Sequence, residues 1–146
     1  MRIEIITNSQ YETEAVGEKL SGLVKSGVVV ALFGGLGAGK TAFTRGFCRG
    51  FGVSDTVTSP TYTIVNEYQN DDGRELFHFD MYRLPSSEAL FDIGWEDYLS
   101  RGGICVLEWS EHVEDALPPG SLRVSIEPVA ELPDRRKITI RGGDLA

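Results

Sequence analysis

Long apolar stretches are missing from this chain of 146 residues. None approaches the roughly 18 consecutive apolar residues that a membrane-spanning helix needs. The first residues, Met1 to Glu4, also lack the basic segment and apolar core of a secretory signal. These features predict a soluble, cytoplasmic protein with no membrane partner.

Cysteine is equally scarce. The chain has two cysteines, and Cys48 and Cys105 lie far apart in separate apolar segments. Cysteine-rich frameworks belong to small secreted domains, whereas an isolated cysteine in apolar sequence behaves as a small hydrophobic residue. We expect two buried, reduced thiols rather than a disulfide or a metal site.

Positive charge is in short supply, with 14 lysines and arginines against 22 acidic residues and a formal net charge of −8. Affinity for a nucleic-acid backbone depends on clustered basic side chains, so a stand-alone tRNA or DNA binder is not expected. Local basic spots at Arg45 and Arg49 and at 135–137 still allow contact with an anionic ligand or with one edge of a larger assembly.

Internal repeats and low-complexity tracts are absent too, and the length suits one globular core. We predict a single domain over residues 1–146, built from alternating strands and helices. The predicted strands are 3–6, 28–33, 63–68, 75–79, 104–107, 122–126 and 138–140. The predicted helices are 9–25, 39–51, 85–98 with a break at Gly94, and 110–117, and a polar loop with Pro128 and Pro133 joins the last two strands.

Glycine, by contrast, is abundant, and residues 34–41 read GGLGAGKT. This segment fits the phosphate-loop pattern G-x-x-x-x-G-K-[ST] and follows the apolar run 28–33. Glycines let backbone N–H groups approach a polyphosphate closely. In such a loop Lys40 reaches the β and γ phosphates and Thr41 offers its hydroxyl to Mg²⁺.

A magnesium ion in such a loop needs a carboxylate from the end of a neighbouring strand. Two candidates exist: Glu108 ends the apolar run 104–107, and Asp80 ends the run 76–79. The first run is the more uniformly apolar, so Glu108 is the better Walker B-type residue, and Asp80 is a second acid suited to orient a water molecule. A solvated carboxylate at a strand end is the alternative for either.

The hydroxyl-rich segment 56–61, which contains Pro60, lies between the loop and these acids. Such hydroxyls can respond to a γ-phosphate as switch loops do, although a plain turn fits the residues equally well.

Four sequence blocks occur together: GGLGAGKT, SPTY at 59–62, HFDMYR at 78–83 and LEW at 107–109. In this order and at these distances, in a short acidic chain, they resemble the TsaE family of small P-loop ATPases in bacterial tRNA threonylcarbamoyladenosine biosynthesis. The resemblance runs from the first helix to the Glu108 segment.

The resemblance implies a three-layer α/β/α P-loop NTPase-like domain with a mixed, mainly parallel central sheet. It implies an ATPase that binds ATP and Mg²⁺ and works with two actin-like-fold proteins of the TsaB and TsaD type. That pair attaches threonylcarbamoyl to adenosine 37 of tRNA. The acidic charge of this chain indicates that the partners, rather than this chain, hold the tRNA.

The resemblance also assigns roles to residues. Thr41 and Glu108 match magnesium ligands, and Lys40, Asp80 and Glu108 match the groups on which ATP hydrolysis depends. Gln10 and Arg136 correspond to the adenine pocket. The loop residues expected at the nucleotide are Gly35, Leu36, Gly37, Ala38, Gly39, Lys40, Thr41 and Ala42.

Some roles and functions stay open. Arg83 suits an internal arginine finger or a structural ion pair, and Trp95, Trp109 and Phe91 suit either a partner surface or the core. Trp109 also matches an aromatic beside the metal site of that family. A small-molecule P-loop kinase and a nucleotide-gated scaffold with incidental hydrolysis are the alternative functions.

Overall fold

The structure is a computed structural model, and it describes residues 2–35, 38–53, 65–83 and 86–142. The strands are β1 (Arg2–Thr7), β2 (Val29–Phe33), β3 (Val65–Gln69), β4 (Glu75–Asp80), β5 (Ile104–Glu108), β6 (Leu122–Val129) and β7 (Leu132–Arg141). The α-helices are α1 (Gln10–Ser21), α2 (Lys40–Phe51), α3 (Ser87–Asp92) and α4 (Trp95–Ser100). Short 3₁₀ helices cover Met81–Arg83, Ser110–His112 and Glu114–Ala116.

All seven strands form one sheet in the order β1-β7-β6-β2-β5-β4-β3. The three central pairs, β6 with β2, β2 with β5 and β5 with β4, are parallel, and the three outer pairs are antiparallel. The predicted α/β fold with a mixed sheet is therefore confirmed. Parallel pairing is concentrated at the centre, whereas the β3–β4 and β6–β7 hairpins and the pairing of β1 with β7 form the antiparallel pairs toward the edges.

Helices cover both faces of this sheet. On one face, α1 and α2 pack over a core that includes Val30, Val106 and Phe47. On the other, α3 and α4 pack over a second core built around Phe79 and Trp95, whose rings meet edge to face. The three-layer α/β/α arrangement follows, and the parallel strands are buried between helices as such strands require.

Helix α2 owes its position to an apolar stripe at helical spacing. Phe43, Phe47 and Phe51 recur every four residues and are all buried, so they fix one face of α2 against the sheet. Gly52 ends the helix with φ of +98°, a left-handed conformation that glycine adopts without a steric penalty.

Helix α1 begins where the sequence predicts. The Ser9 hydroxyl accepts a hydrogen bond from the Glu12 backbone N–H at 3.1 Å, which satisfies one of the free N–H groups of the first turn. The helix ends at Ser21 rather than near Lys25. The contact of α1 with α2 is the most extensive between any two helices described, and Gly17 and Gly46 lie in it.

The prediction of a helix over 110–117 is wrong, since two 3₁₀ helices occupy this segment. Ser110 does not cap a helix here: its hydroxyl donates to the Leu107 carbonyl instead, and the side chain of a helix cap must accept. The polar loop predicted around Pro128 and Pro133 is also wrong, because both prolines lie within the long hairpin of β6 and β7. A register shift at Pro128 and Val129 accommodates the first of them.

Two expectations from composition can be compared with the described residues. Cys48 and Cys105 are both buried and free, as predicted. Across the described ranges, no helix is sufficiently long and apolar to cross a bilayer.

Candidate functional site

The alternation of side chains in β4 and β5 brings the two predicted acids together. The strands pair in parallel with Asp80 opposite Glu108. Leu76 in β4 and Val106 in β5 belong to the core under α2, so residues an even number of positions further along the same strands face α2 as well. Both carboxylates therefore lie at the carboxyl edge of the sheet, beside the amino terminus of α2.

A cleft of about 450 Å³ opens at this edge. The amino terminus of α1, the glycine-rich loop, the start of α2, the ends of β4 and β5, and β7 with its hairpin all contribute to its wall. The lining residues are Ser9, Gln10, Thr13, Gly35, Ala38, Gly39, Lys40, Thr41, Ala42, Arg45, Asp80, Glu108, Trp109, Asp134 and Arg136.

Glu108 is held from two sides. Its Oε1 lies 3.2 Å from the Thr41 hydroxyl oxygen, and its Oε2 lies 2.5 Å from Nε2 of His78. Glu108 and His78 are both buried. A hydroxyl and a carboxylate side by side are the oxygen ligands that Mg²⁺ takes from proteins at nucleotide sites.

Lys40 is buried although it carries a charge. Its ammonium group donates to the Gly34 carbonyl and lies 3.3 Å from the centre of the Trp109 ring. Burial lowers the pKa of Lys40, and the nearby carboxylates of Glu111, Glu108 and Asp80 counteract part of that effect. A buried lysine among acids, at the mouth of a cleft, suits the binding of an anion.

Trp109 adopts an unusual backbone conformation, with φ of +61° and ψ of +42°. A residue with a Cβ in this left-handed region costs about 1–2 kcal/mol, and such strain is often found at functional sites. The conformation sends the chain from β5 into the turn that follows, and the ring contacts Lys40 and Tyr82.

Glycine is required at both ends of the described loop. Gly34 has φ of +148°, and a Cβ there would lie 2.5 Å from the Ile126 carbonyl oxygen. Its N–H donates to the Glu111 carboxylate at 3.0 Å. Gly39, with φ of +106°, precedes the first residue of α2. The loop thus passes close to the β6 backbone, where a larger residue does not fit.

The structure brings most of the predicted site residues to one place. Lys40, Thr41, Asp80 and Glu108 line the cleft together with Gln10 and Arg136, which lie far apart in the sequence. Arg136 donates from Nε to the Ala38 carbonyl at 2.9 Å, so β7 is joined to the loop. Leu36, Gly37 and the segment 56–61 lie outside the described residues, as does the side chain of Arg83.

The three aromatic residues left open by the sequence differ in their surroundings. Trp95 is fully buried, and its ring nitrogen donates to the Ala116 carbonyl, so it belongs to the core. Trp109 faces the cleft, and Phe91 is 44% exposed. The role of Trp95 is therefore structural.

Two polar contacts of the site were not predicted from the sequence: that of His78 with Glu108 and that of Glu111 with Gly34. His78 precedes Asp80 by two residues and shares its strand face, which is a weak signal in the sequence alone. Glu111 offers no such signal, because its position depends on the turn after Trp109.

The chain is similar in sequence to known proteins. A model of the family described as threonylcarbamoyl adenosine biosynthesis protein TsaE matches residues 7–138. The tRNA threonylcarbamoyladenosine biosynthesis protein TsaE of Bacillus subtilis is 40% identical over 133 residues, which are 91% of this chain and 81% of that protein. The protein of the same name from Treponema pallidum is 38% identical over 136 residues, which are 92% of this chain and 97% of its own.

A crystal structure of YdiB from Bacillus subtilis superposes with a TM-score of 0.78 at 34% identity, over 97% of this chain and 86% of that one. The similarity in sequence extends over most of the chain and is accompanied by the same fold. This chain therefore belongs to the TsaE family.

Proposed function

We propose that this protein binds ATP with Mg²⁺ in the cleft and hydrolyses it, as the ATPase component of the machinery that makes threonylcarbamoyladenosine at position 37 of tRNA. The observation that carries the proposal is the convergence of Lys40, Thr41, Asp80 and Glu108 on one cleft beside the glycine-rich loop. Membership of the TsaE family supports the pathway.

The residues present suit both ligands. Glycine at 34 and 39 allows the loop backbone to approach a polyphosphate, and Lys40 supplies a positive charge there. Thr41 and Glu108 offer two adjacent oxygens that would hold the metal. When bound, Mg²⁺ neutralises charge on the phosphates, and ATP supplies the phosphoanhydride bond.

Each side chain of the cleft has a separate role. Lys40 binds the β and γ phosphates in exchange for its present contact with the Gly34 carbonyl. Asp80, which accepts from the Tyr82 backbone N–H at 3.0 Å, is held at the end of β4 and orients the attacking water. Gln10 and Arg136 contact the adenine from the walls formed by α1 and β7.

We propose that the protein acts with a two-protein complex of the TsaB and TsaD type. These partners hold the tRNA, because this chain is acidic, with a net charge of −8. Tight tRNA binding by the isolated protein at physiological salt would count against that division.

The test is ATP hydrolysis by the purified protein, with and without Mg²⁺ and with the partner complex. We expect slow Mg²⁺-dependent turnover, stimulation by the complex, and a loss of at least about tenfold in Glu108→Gln, since a charged carboxylate ligand is replaced by a neutral amide. Glu88→Gln, an exposed change in α3 outside the cleft, is the matched control. Fast turnover dependent on a metabolite would contradict the proposal in favour of a kinase.

Modification of tRNA by the reconstituted complex should be measured separately with Glu108→Ala. Loss of both hydrolysis and modification supports an ATPase role. Retained modification without hydrolysis would show that nucleotide binding alone is needed, as in a scaffold.

A further inference from the structure

His78 is fully buried on the same face of β4 as Asp80. Burying a polar ring has a free-energy cost that its hydrogen bonds must offset. Two residues earlier, Leu76 lies in the core under α2. An aliphatic residue such as leucine would therefore satisfy the packing at position 78, so packing alone does not explain the histidine there.

The contacts of His78 supply that reason. Nε2 lies 2.5 Å from Glu108 Oε2, and Nδ1 has no hydrogen-bond partner among the residues that the structure describes. A carboxylate oxygen can only accept, so Nε2 carries the hydrogen. The ring is thus a donor aimed at one oxygen of Glu108.

The other oxygen of the same carboxylate faces Thr41, at 3.2 Å from its hydroxyl. A glutamate side chain rotates about three bonds, and an unrestrained carboxylate would offer its two oxygens in many orientations. The bond from His78 fixes Oε2 on the buried side, so that Oε1 remains next to Thr41 and the cleft.

We propose that His78 is a positioning residue: its Nε2–H holds Glu108 so that the carboxylate and Thr41 present a preformed pair of oxygens to the divalent cation. This inference rests on the proposed function, because it concerns the metal site of that function. Groups that orient metal ligands in this way commonly contribute about 10–100-fold to metal affinity.

The test compares His78→Leu, which fills the space without a donor, with His78→Gln, whose amide nitrogen can reach the position of Nε2. Leu76→Ala is the matched control, since it removes buried side chain from the same face of β4 without touching Glu108. The readout is the binding of Mn²⁺, a paramagnetic substitute for Mg²⁺, to the protein with ADP, followed by electron paramagnetic resonance. Binding of ADP in the presence of a metal chelator is measured alongside.

We expect His78→Leu to weaken Mn²⁺ binding by about tenfold or more, and His78→Gln to restore it to within about threefold. Binding of ADP without metal should change by less than about twofold in both, and Leu76→Ala should leave Mn²⁺ affinity unchanged while it lowers thermal stability. Unchanged Mn²⁺ affinity in His78→Leu overturns the inference. Equal losses in His78→Leu, His78→Gln and Leu76→Ala overturn it too, because they would indicate a packing effect.

A measurement on the wild-type protein tests the inference even if the variants at position 78 do not fold. The chain has two histidines, so nitrogen NMR of the labelled rings resolves them, and His112→Gln identifies the signal of His78. We expect a ring with its hydrogen on Nε2, slow to exchange with water, and shifted when Mg²⁺ and ADP are added. A freely exchanging ring overturns the inference. If the wild-type protein binds neither ADP nor Mn²⁺, the proposed function itself fails, and this outcome differs from a failure of His78 alone.

Discussion

The interface between α1 and α2 offers the sharpest test of how the fold builds the cleft. Gly46 lies in α2 where it passes α1, and a Cβ added there would be 1.9 Å from the Glu14 carbonyl oxygen and 2.6 Å from its carbon. Both atoms belong to the backbone, so no change of side-chain rotamer relieves the overlap. Gly46→Ala therefore forces the two helices apart.

The size of the displacement follows from these distances. An ordinary contact begins at 3.4 Å, so the carbonyl oxygen must retreat by 3.4 − 1.9 = 1.5 Å. A gap of about 1 Å already loses a quarter to a half of the dispersion energy between facing atoms. Because the overlapped atoms are backbone, the cost lies at the upper end of the usual range for overpacking, about 3 kcal/mol. The better helix propensity of alanine returns about 1 kcal/mol. We expect a net loss of about 2 kcal/mol.

Thermal unfolding by circular dichroism measures this loss. For a chain of this size, about 2 kcal/mol corresponds to a fall in Tm of roughly 4–8 °C. Gly22→Ala is the matched control: Gly22 has φ of −77°, and its added Cβ meets nothing closer than 3.6 Å, so stability should stay the same or rise by up to about 1 kcal/mol.

A consequence for the cleft follows. The amino terminus of α1 and the start of α2 both line the cleft, so separation of the helices should also weaken nucleotide binding. A Gly46→Ala protein as stable as Gly22→Ala would contradict this expectation, because it would show that the helices can separate without cost.

Three further expectations follow from the same structure. Lys40→Met should abolish nucleotide binding without lowering Tm at pH 7, since burial already lowers the pKa of Lys40. The unfolded state binds the Lys40 proton more tightly than the folded state does, so the wild type should gain stability relative to this variant as the pH rises toward 10.5. A constant difference in Tm between the two proteins from pH 7 to pH 10 would contradict this. Burial raises the pKa of Cys48 and of Cys105 to about 12. An aromatic disulfide reagent at pH 8 should therefore label both thiols only after unfolding. Rapid labelling of the native protein would disprove their burial. Ser9→Ala should cost about 1 kcal/mol through the lost cap at 3.1 Å, seen as a lower midpoint in urea, whereas an unchanged midpoint would show that the cap contributes nothing.

Features that depend on local pattern can be read from the sequence alone. The glycines and Lys40 of the loop and the start of α1 at Ser9 each follow from spacing and residue type within a few positions. The family also followed from four short blocks, since their order is specific. Element ends were less certain: α1 ends four residues earlier than expected, because the last turn of a helix depends on packing and caps.

Contacts between residues that are distant in the chain depend on the tertiary structure. The pairing of Asp80 with Glu108 requires the register of β4 with β5, and the contact of His78 with Glu108 depends on the same register. Glu111 reaches Gly34 because Trp109 adopts a left-handed conformation. Side-chain direction along a strand alternates with every residue, so these contacts exist only after the strands have been aligned. The sequence contains the chemical groups of the site, and the sheet brings them within reach of one another.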